Sequence, residues 1–393
     1  MTLRDLLPLL FAVVIATQVI LVAFFKFKIK QLQRGKTFRA GEPYQLWPEV
    51  EVVLCLRGAD KTLPGMLNSL SKQNYPGLWR LKIVVDSASD HAWAIVQEMI
   101  DSEGKNNQKT SSWAEAIVEV LEEKETKGSL KCASIRQAFK GLHPNSKVVA
   151  LVDSDAVVPS DWLKTLVYEC CQENIGAVSG NRWYEPTRNT LSACTRKVWN
   201  AGALVMMTIF KIPWGGSLAV KRELINSDLW VNLLESSLCE DTCLHKPLKE
   251  LNLEYRFIPE LLIIDRSYDI TMPGLAKWLS RQVLTVRLHH PAWPLIMIHG
   301  LGTTLVLVLG LFSGTWFSLI VYELSCLLLL GWIEVIARNK TPKSTRNFAF
   351  SLIAGQLING WSTLMALVAK EVEWRGINYK ITLNPKGVER LQD

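Results

Sequence analysis

Two carboxylates one residue apart follow an apolar segment near the middle of the chain. Asp153 and Asp155 come after Val148 to Val152, whose β-branched residues predict a buried strand. Alternate residues of an extended strand point the same way, so both carboxylates can converge on one divalent ion held against a diphosphate. That is the chemistry of an enzyme that uses a nucleotide sugar. The spacing alone is weak evidence, because many solvated turns contain Asp-x-Asp.

Acidic residues also stand at two other places where secondary-structure elements begin or end. Asp86 follows the apolar segment Leu81 to Val85, and Glu240 and Asp241 open a segment with helical spacing. Three acidic sites at such ends indicate one active site. Each site also has an ordinary alternative: Asp86 would cap the next helix, and the Glu240-Asp241 pair would be favoured by a helix dipole.

These acidic sites, with several motifs around them, resemble one enzyme family. The other motifs are Arg57-Gly58-Ala59-Asp60, Leu70-Ser71-Lys72-Gln73-Asn74-Tyr75-Pro76, Trp214-Gly215-Gly216-Ser217 with Lys221-Arg222, and Trp374-Arg375-Gly376 with Tyr379. The chain resembles an inverting glycosyltransferase of family 2 with the GT-A fold, and most of all its ceramide glucosyltransferase-like branch. The resemblance covers about residues 48 to 290 and the C-terminal tail. It departs where the family has Gln/Arg-x-x-Arg-Trp, because Arg281-Gln282 and Arg287 stand there instead.

The resemblance implies a role for each residue on the donor side. Asp86 would accept a hydrogen bond from the uracil of a UDP-sugar, and Asp153 would contact the ribose or assist a metal ion. Arg57 and Asp60 would contribute to the same nucleotide site. Asp155, together with Asp153, would bind Mg²⁺ or Mn²⁺, which offsets the charge that grows on the departing UDP.

The resemblance also implies the catalytic residues. Asp241 would be the general base that takes a proton from the acceptor hydroxyl, and Glu240 would support its position. Arg281 and Gln282 would lie over the diphosphate or the acceptor, where the cationic Arg281 could stabilise the leaving group. For Arg281 and Arg287, contact with lipid headgroups is an equal alternative.

Aromatic residues and glycines form the expected acceptor side. Trp214, Gly215 and Gly216 would make the acceptor-side loop, in which glycines allow the backbone to approach a ligand closely. Packing is the ordinary alternative for Trp214 and for the Trp183-Tyr184 pair.

The order of secondary-structure elements predicts how these residues meet. The predicted elements are strands near Glu51 to Leu56, Leu81 to Val85 and Val148 to Val152, and helices near Leu63 to Gln73 and after Asp90. Alternation of this kind predicts an α/β domain with a mainly parallel, Rossmann-like sheet of the GT-A type, which binds ligands at the carboxyl ends of its strands. Asp101 to Lys131 is polar without an apolar stripe, which predicts a solvated loop and helix insertion.

Apolar segments at both ends predict membrane attachment. Leu6 to Phe25 is long enough to span a bilayer, and we interpret it as an anchor rather than as a cleaved signal peptide. Pro294 to Phe312, Phe317 to Ile336 and Phe348 to Ala369 are further candidate spans, although Glu323 and Glu334 would be costly in lipid. The predicted domains are an N-terminal anchor (1–27), a GT-A catalytic domain (28–292), C-terminal transmembrane or interfacial helices (293–370) and a tail (371–393).

Basic clusters predict the orientation in the membrane. Six basic residues between Lys26 and Arg39 place the catalytic domain in the cytoplasm by the positive-inside rule, and the basic loop from Arg338 to Arg346 is expected on the same side. A full fourth span would then put the tail outside, unless one segment is re-entrant or interfacial. The sequence leaves both possibilities open.

The net charge and the cysteine spacing indicate which kinds of binding partner the chain has. The net charge of +7, from 44 basic and 37 acidic residues, lies largely beside apolar segments and favours anionic headgroups over nucleic acid. The eight cysteines lack the paired spacing of a usual zinc site and are expected to be reduced structural thiols. The expected partners are therefore a UDP-sugar donor, a membrane lipid acceptor and the membrane.

These inferences predict an integral membrane hexosyltransferase that moves a sugar from UDP to a lipid hydroxyl, ceramide-like or of another membrane lipid. Two alternatives stay open: a catalytically silent scaffold that binds a nucleotide or a protein, and a polysaccharide synthase. The few spans argue against the synthase, which needs a longer transmembrane channel. The sequence does not reveal which sugar or which lipid is used.

Overall fold

The computed structural model describes residues 3–34, 47–105, 111–122, 127–266, 270–338 and 348–391. These residues form two compact units, each built from three separate segments of the chain. The helical unit comprises the described parts of Met1–Lys36, Arg182–Ile212 and Ile264–Ala369, and the sheet unit those of Thr37–Asn181, Pro213–Ile263 and Lys370–Asp393. The domain boundaries expected at residues 27, 292 and 370 stay a prediction.

A mixed sheet forms the centre of the sheet unit. Among the described residues its seven strands are β1 (Val50–Leu56), β2 (Trp79–Val85), β3 (Glu115–Val120), β4 (Val148–Val152), β5 (Ile175–Tyr184), β6 (Ser217–Lys221) and β7 (Glu254–Asp265). Their order is β3-β2-β1-β4-β6-β5-β7. The first four are parallel, and β6 runs antiparallel to both of its neighbours. The predicted α/β architecture, with apolar helices at both ends of the chain, is confirmed.

Strand register explains why acidic residues gather at one edge of this sheet. β1, β2 and β4 are almost continuously buried and mainly apolar, as parallel strands covered on both faces are. Leu56 pairs with Val85, and Leu54 pairs with Val152. Asp86 and Asp153 therefore leave the sheet at the same carboxyl edge.

Helices cover this sheet and begin close to its functional edge. In the sheet unit they are α2 (Leu63–Ser71), α3 (His91–Lys105), α4 (Leu130–Lys140), α5 (Trp162–Cys170), α7 (Arg222–Asn226), α8 (Leu229–Leu234) and α9 (His245–Glu250). α4 has a full N-terminal cap, because the Ser129 side chain accepts a hydrogen bond from the amide of Cys132.

The prediction of a solvated insertion from Asp101 to Lys131 is wrong in two of its described parts. Glu115–Val120 is strand β3, which pairs in parallel with β2. None of its residues is buried, so this edge strand lacks the apolar pattern of the strands inside the sheet. Lys131 lies in the first turn of α4, where it has a role described below.

A second, smaller sheet belongs to the same unit although it follows the last apolar helix. Its antiparallel strands are β8 (Glu371–Trp374), β9 (Ile377–Leu383) and β10 (Lys386–Arg390). The turn between β8 and β9 consists of Arg375 and Gly376, with φ angles of 53° and 75°. Positive φ at both residues is typical of the tight hairpin turns that match strand twist.

The helical unit contains the predicted membrane segments. Its helices are α1 (Leu3–Arg34), α6 (Leu191–Phe210), α10 (Met272–His289), α11 (Trp293–Ser313), α12 (Trp316–Arg338) and α13 (Phe348–Val368). Among the described residues, four helices are long and apolar enough to cross a membrane: Arg4–Gln33, Trp293–Ser313, Trp316–Arg338 and Phe350–Val368. Residues 339–347 of the basic loop, like Lys36 and Arg39, lie outside the described residues.

Glu334, which we expected to be costly in lipid, is paired inside this unit. Its carboxylate lies 3.1 Å from Lys197 Nζ and 3.4 Å from Arg338 Nη1, and both basic side chains are themselves almost buried. Paired charges of this kind lose less on leaving water than a single charge does.

A glycine in β5 gives a test of the sheet packing. A Cβ atom added at Gly180 would collide with the backbone carbonyl of Leu261, which cannot move aside as a flexible side chain can. We expect Gly180→Ala to lower the free energy of unfolding by about 2–4 kcal/mol. Thermal unfolding of the detergent-solubilised protein measures this change.

Gly65 provides the matched control. It is an exposed residue of α2 with open space around its Cβ position. Gly65→Ala should leave the Tm unchanged or raise it slightly, because alanine favours helix. Equal Tm values for the two variants would contradict the tight packing of β5.

Candidate active site

A lysine that the sequence analysis did not single out lies among the predicted carboxylates. Lys131 Nζ is 2.7 Å from Asp153 Oδ1 and 2.7 Å from Glu240 Oε1. Burial lowers the pKa of Lys131, but the two carboxylates outweigh burial and hold that pKa well above its ordinary value. Lys131 is therefore a cation at neutral pH and the counter-charge of two predicted site residues.

Glu240 is the most deeply buried member of this cluster, with no exposed surface. Burial raises the pKa of its carboxyl group, and the Lys131 ammonium opposes that rise. The ion pair with Lys131 thus makes an ionised Glu240 acceptable in a place where water cannot solvate it.

Asp241 is held by hydrogen bonds to both carboxylate oxygens. Its Oδ2 accepts a hydrogen bond from the Gly215 amide (2.8 Å), and its Oδ1 accepts from the Thr242 amide (2.6 Å) and the Cys239 thiol (2.9 Å). The residue caps a short 3₁₀ helix, Thr242–Leu244, so the helix-cap alternative is observed. Capping leaves the base role open, because Oδ2 accepts one of these three hydrogen bonds and has a second lone pair.

The two glycines of the predicted acceptor-side loop make room for carboxylates. A Cβ atom at Gly215 would clash with Glu240 Oε1, and one at Gly216 would clash with the Trp214 indole and lie 2.5 Å from Asp153 Oδ2. The Gly216 carbonyl also accepts a hydrogen bond from the Asp153 amide at 3.3 Å. The loop containing half-buried Trp214 therefore packs directly against the acidic cluster.

A second polar cluster surrounds Asp86. Its Oδ2 is paired with Arg57 Nη1, and its Oδ1 is buried without a hydrogen-bond partner among the residues that the structure describes. The cap of α3 is Asp90, whose Oδ1 accepts from the Ala92 amide at 2.8 Å. The helix-cap alternative for Asp86 is therefore not observed, and its second oxygen has no donor among the described residues.

Asp60 connects this cluster with the loop between the paired acids. Ser154 Oγ, which lies between Asp153 and Asp155 in the chain, donates a hydrogen bond to Asp60 Oδ2 at 3.0 Å. Arg375 also contacts Asp60 Oδ2, with its Nη2 at 2.7 Å. Arg57, Asp60, Asp86 and the Asp153 loop are thus brought together, as predicted for one donor site.

The carboxylates at the end of β4 have the chemistry of a divalent-cation site. Asp155 is half-buried in the same loop as Asp153, and carboxylate oxygens are the ligands that Mg²⁺ and Mn²⁺ prefer. Cys239, Glu240 and Asp241 also offer ligand atoms within 4.8 Å of one another. A thiol suits softer metals, so the aspartates fit Mg²⁺ or Mn²⁺ better than this second group does. All eight cysteines, each within the described ranges, are free thiols.

The remaining predicted residues belong to the helical unit. Arg281 and Gln282 lie on α10, and their catalytic roles stay a prediction. Arg287, on the same helix, donates hydrogen bonds to the carbonyls of Ala366 (2.6 Å) and Ala369 (3.3 Å). Trp183 is fully buried and Tyr184 nearly so, so these two aromatic residues pack in the core.

Removing the Lys131 charge should expose the cost of burying Glu240. We expect Lys131→Met to destabilise the fold by about 2–4 kcal/mol, because it leaves a buried carboxylate without a partner. Native Glu240 would then bind a proton more tightly than the unfolded chain does, so the loss should grow as the pH rises from about 5 to about 8. Thermal unfolding of Lys131→Met at these two pH values measures both effects.

The single variant Glu240→Gln and the double variant Lys131→Met/Glu240→Gln complete a double-mutant cycle. The double variant should lose much less stability than the sum of the two single variants, because neither charge is left alone. Lys147→Met, at an exposed residue just before β4, is the matched control. Additive losses would contradict the ion pair.

Solved structures show where else this fold occurs. One similar structure is the mannosyltransferase PcManGT from Pyrobaculum calidifontis in complex with GDP-Man and Mn²⁺. The two sequences are 14% identical, and the alignment covers 92% of this chain and 99% of the mannosyltransferase, with a TM-score of 0.55. Another is glucosyl-3-phosphoglycerate synthase from Mycobacterium tuberculosis with Mn²⁺ and UDP-glucose, which is 15% identical over 66% of this chain and 81% of its own. The TM-score of this second structure is 0.39, which indicates a remote similarity. The similarity to the mannosyltransferase establishes the fold alone.

The sequence itself matches one family and no curated protein. The matching model is that of glycosyl transferase family 21, the ceramide glucosyltransferase family, and it covers residues 13–386. The expected number, family 2, is not confirmed, whereas the expected relation to ceramide glucosyltransferases agrees with this match. The chain therefore belongs to glycosyl transferase family 21 and is a glycosyltransferase.

Proposed function

We propose that this glycosyltransferase moves a hexose from a UDP-sugar to a lipid hydroxyl, ceramide-like or of another membrane lipid, at the cytoplasmic face of the membrane. The proposal is carried by the cluster of Lys131, Asp153, Glu240 and Asp241 beside the Gly215-Gly216 loop. Family membership and four apolar helices support a membrane lipid as the acceptor.

Asp86 and its neighbours recognise the nucleotide in this proposal. The buried Oδ1 of Asp86 accepts a hydrogen bond from the imide N–H of uracil, while Arg57 holds the other oxygen. Such a buried acceptor without a partner costs stability until a ligand donor satisfies it, which favours a bound base there. Asp60 fixes the loop that carries Asp153 through the Ser154 hydroxyl.

The diphosphate lies at the carboxyl edge of β4 in this proposal. Asp155, with Asp153, binds Mg²⁺ or Mn²⁺, which when bound offsets the negative charge of the diphosphate. The Mn²⁺ in the complex of the Pyrobaculum mannosyltransferase is consistent with this choice of metal. Lys131 and Arg57 add fixed positive charges on the same side, where charge develops as UDP leaves.

Asp241 takes the proton of the acceptor hydroxyl. The acceptor oxygen then attacks the anomeric carbon while the bond from that carbon to UDP breaks, which inverts the configuration. The Gly215 amide and the Thr242 amide fix the orientation of the Asp241 carboxylate, and Glu240 anchors the segment through Lys131. Trp214 contributes to the acceptor side, and Arg281 and Gln282 contact the diphosphate or the acceptor.

We also propose that α11 and α12 cross the membrane as a hairpin and that α13 lies at the interface. The tail strands and the acidic site residues share the sheet unit, so the chain between Ile263 and Lys370 crosses the bilayer an even number of times. Three candidate spans lie in that interval, and α13 is the least apolar of them, with a mean hydropathy of 1.3 against 2.2 and 2.0.

The contacts of α13 support the same assignment. It packs against α6 and α10, neither of which is a candidate span, as well as against the candidate spans α11 and α12. Asn359 on α13 accepts a hydrogen bond from Trp199 Nε1 on α6 at 2.9 Å. Polar contacts of this kind suit a helix that lies against protein near the interface.

Labelling of single introduced cysteines tests this topology. Lys380→Cys on β9 and Lys147→Cys, both at exposed positions of the sheet unit, should react with a membrane-impermeant maleimide from the same side of sealed vesicles. Thr315→Cys, between α11 and α12, should react from the other side. Labelling of Thr315→Cys and Lys380→Cys from one side would contradict the crossing hairpin. The parent protein controls for its native thiols.

Release of UDP tests the function. Membranes containing the protein are incubated with a panel of UDP-sugars, lipid extract and Mn²⁺ or Mg²⁺. Lipid-dependent release is expected from at least one donor, and Asp241→Asn should reduce it on the order of 10²–10⁴-fold while UDP still binds. Asp155→Ala should weaken metal-dependent UDP binding.

Asp161→Asn is the matched control for Asp241→Asn, because Asp161 is exposed and makes no capping hydrogen bond with its side chain. Transfer that persists in Asp241→Asn would disprove the base assignment. No release from any donor by the folded protein would favour the silent scaffold instead.

A further inference from the structure

The small C-terminal sheet contacts three loops that carry candidate site residues. The first is the loop after β1 with Arg57 and Asp60, the second leads into α4 and Lys131, and the third precedes Glu240. None of these contacts follows from the acidic motifs, because the sheet lies after the last apolar helix in the chain.

The tip of the sheet, which is the turn between β8 and β9, contacts residues of the proposed donor site. Arg375 Nη2 and Nη1 lie 2.7 Å and 3.2 Å from the two carboxylate oxygens of Asp60. The Arg375 carbonyl accepts a hydrogen bond from Arg57 Nε at 3.0 Å, and Arg57 in turn pairs with Asp86. Ser154 donates to the same Asp60 carboxylate. Arg375 thus contacts two residues of the proposed nucleotide site, Asp60 through its side chain and Arg57 through its carbonyl.

Tyr379 on β9 and Val388 on β10 form hydrogen bonds with the other two loops. The hydroxyl oxygen of buried Tyr379 accepts a hydrogen bond from the Leu130 amide at 3.2 Å, next to Lys131. The Val388 amide donates to the Ser236 carbonyl at 2.7 Å, and the Val388 carbonyl accepts from the Gly128 amide at 2.8 Å. The sheet therefore has a fixed position on the unit, which makes the placement of its tip specific.

We propose that the C-terminal sheet is a positioning element of the donor site and that Arg375 is the residue through which it acts. This inference rests on the proposed function. The Arg375 side chain is 46% exposed, so its ion pair contributes little to stability. Its effect is on geometry, because the two-pronged contact orients Asp60, and with it the loop between Asp153 and Asp155.

Arg375→Asn isolates the guanidinium group. Asparagine tolerates the left-handed backbone at this turn, so the hairpin and the carbonyl contact with Arg57 are kept. We expect the KM for the UDP-sugar and the Kd for UDP with Mn²⁺ to rise about tenfold, with a much smaller change in kcat and an unchanged Tm. Arg375→Lys should recover part of the loss, because it keeps the charge.

Two further variants complete the test. Lys380→Ala, at an exposed position of β9, should keep the parent KM. Asp60→Asn/Arg375→Asn should be no worse than Asp60→Asn alone, because both changes remove the same contact. An unchanged KM and Kd in Arg375→Asn, or additive effects in the double variant, would overturn the positioning role. A parent protein that neither binds UDP nor releases it from a UDP-sugar would overturn the proposed function itself.

Discussion

An ammonium group between two carboxylates allows charged residues to gather at an edge of the sheet where Glu240 has no contact with water. A lone carboxylate in that place would be neutral or strongly destabilising. Lys131 comes from the first turn of α4, where the helix dipole disfavours a cation, and the two carboxylates outweigh that effect. The glycines at 215 and 216 follow from the same constraint, because side chains there would collide with the acids.

Around this ion pair, the site divides into two clusters that share one edge of the sheet. Strand register brings Asp86 and Asp153 to that edge, and the Ser154 to Asp60 hydrogen bond joins their loops. In one cluster Asp86 Oδ1 is a buried acceptor with no donor among the described residues, whereas in the other Asp241 is held by backbone amides that fix its direction. The proposed function therefore uses separate, individually fixed carboxylates for recognition of the nucleotide and for removal of the proton.

Local patterns predicted the parts of this site that depend on local structure. Asp86 and Asp153 follow apolar strands, and such strand ends are visible in a single sequence. Lys131 had only a weak signal, a basic residue just after the Gly128-Ser129 cap where an acid is favoured, because its partners come from elsewhere in the chain. Arg375 lies 315 residues from Asp60, so the pairing depends on tertiary structure. The sequence analysis missed strand β3 because this half-buried edge strand lacks the continuous apolar pattern of the inner strands.

The position of the hairpin in the chain also sets an order of events during synthesis. Arg375, which contacts Asp60, is translated after all four apolar helices. A ribosome that has completed the seven-stranded sheet has therefore not yet made the arginine that pairs with Asp60. In a growing chain, the loop of Arg57 and Asp60 acquires its final contacts only after the four helices long enough to cross a bilayer have been made.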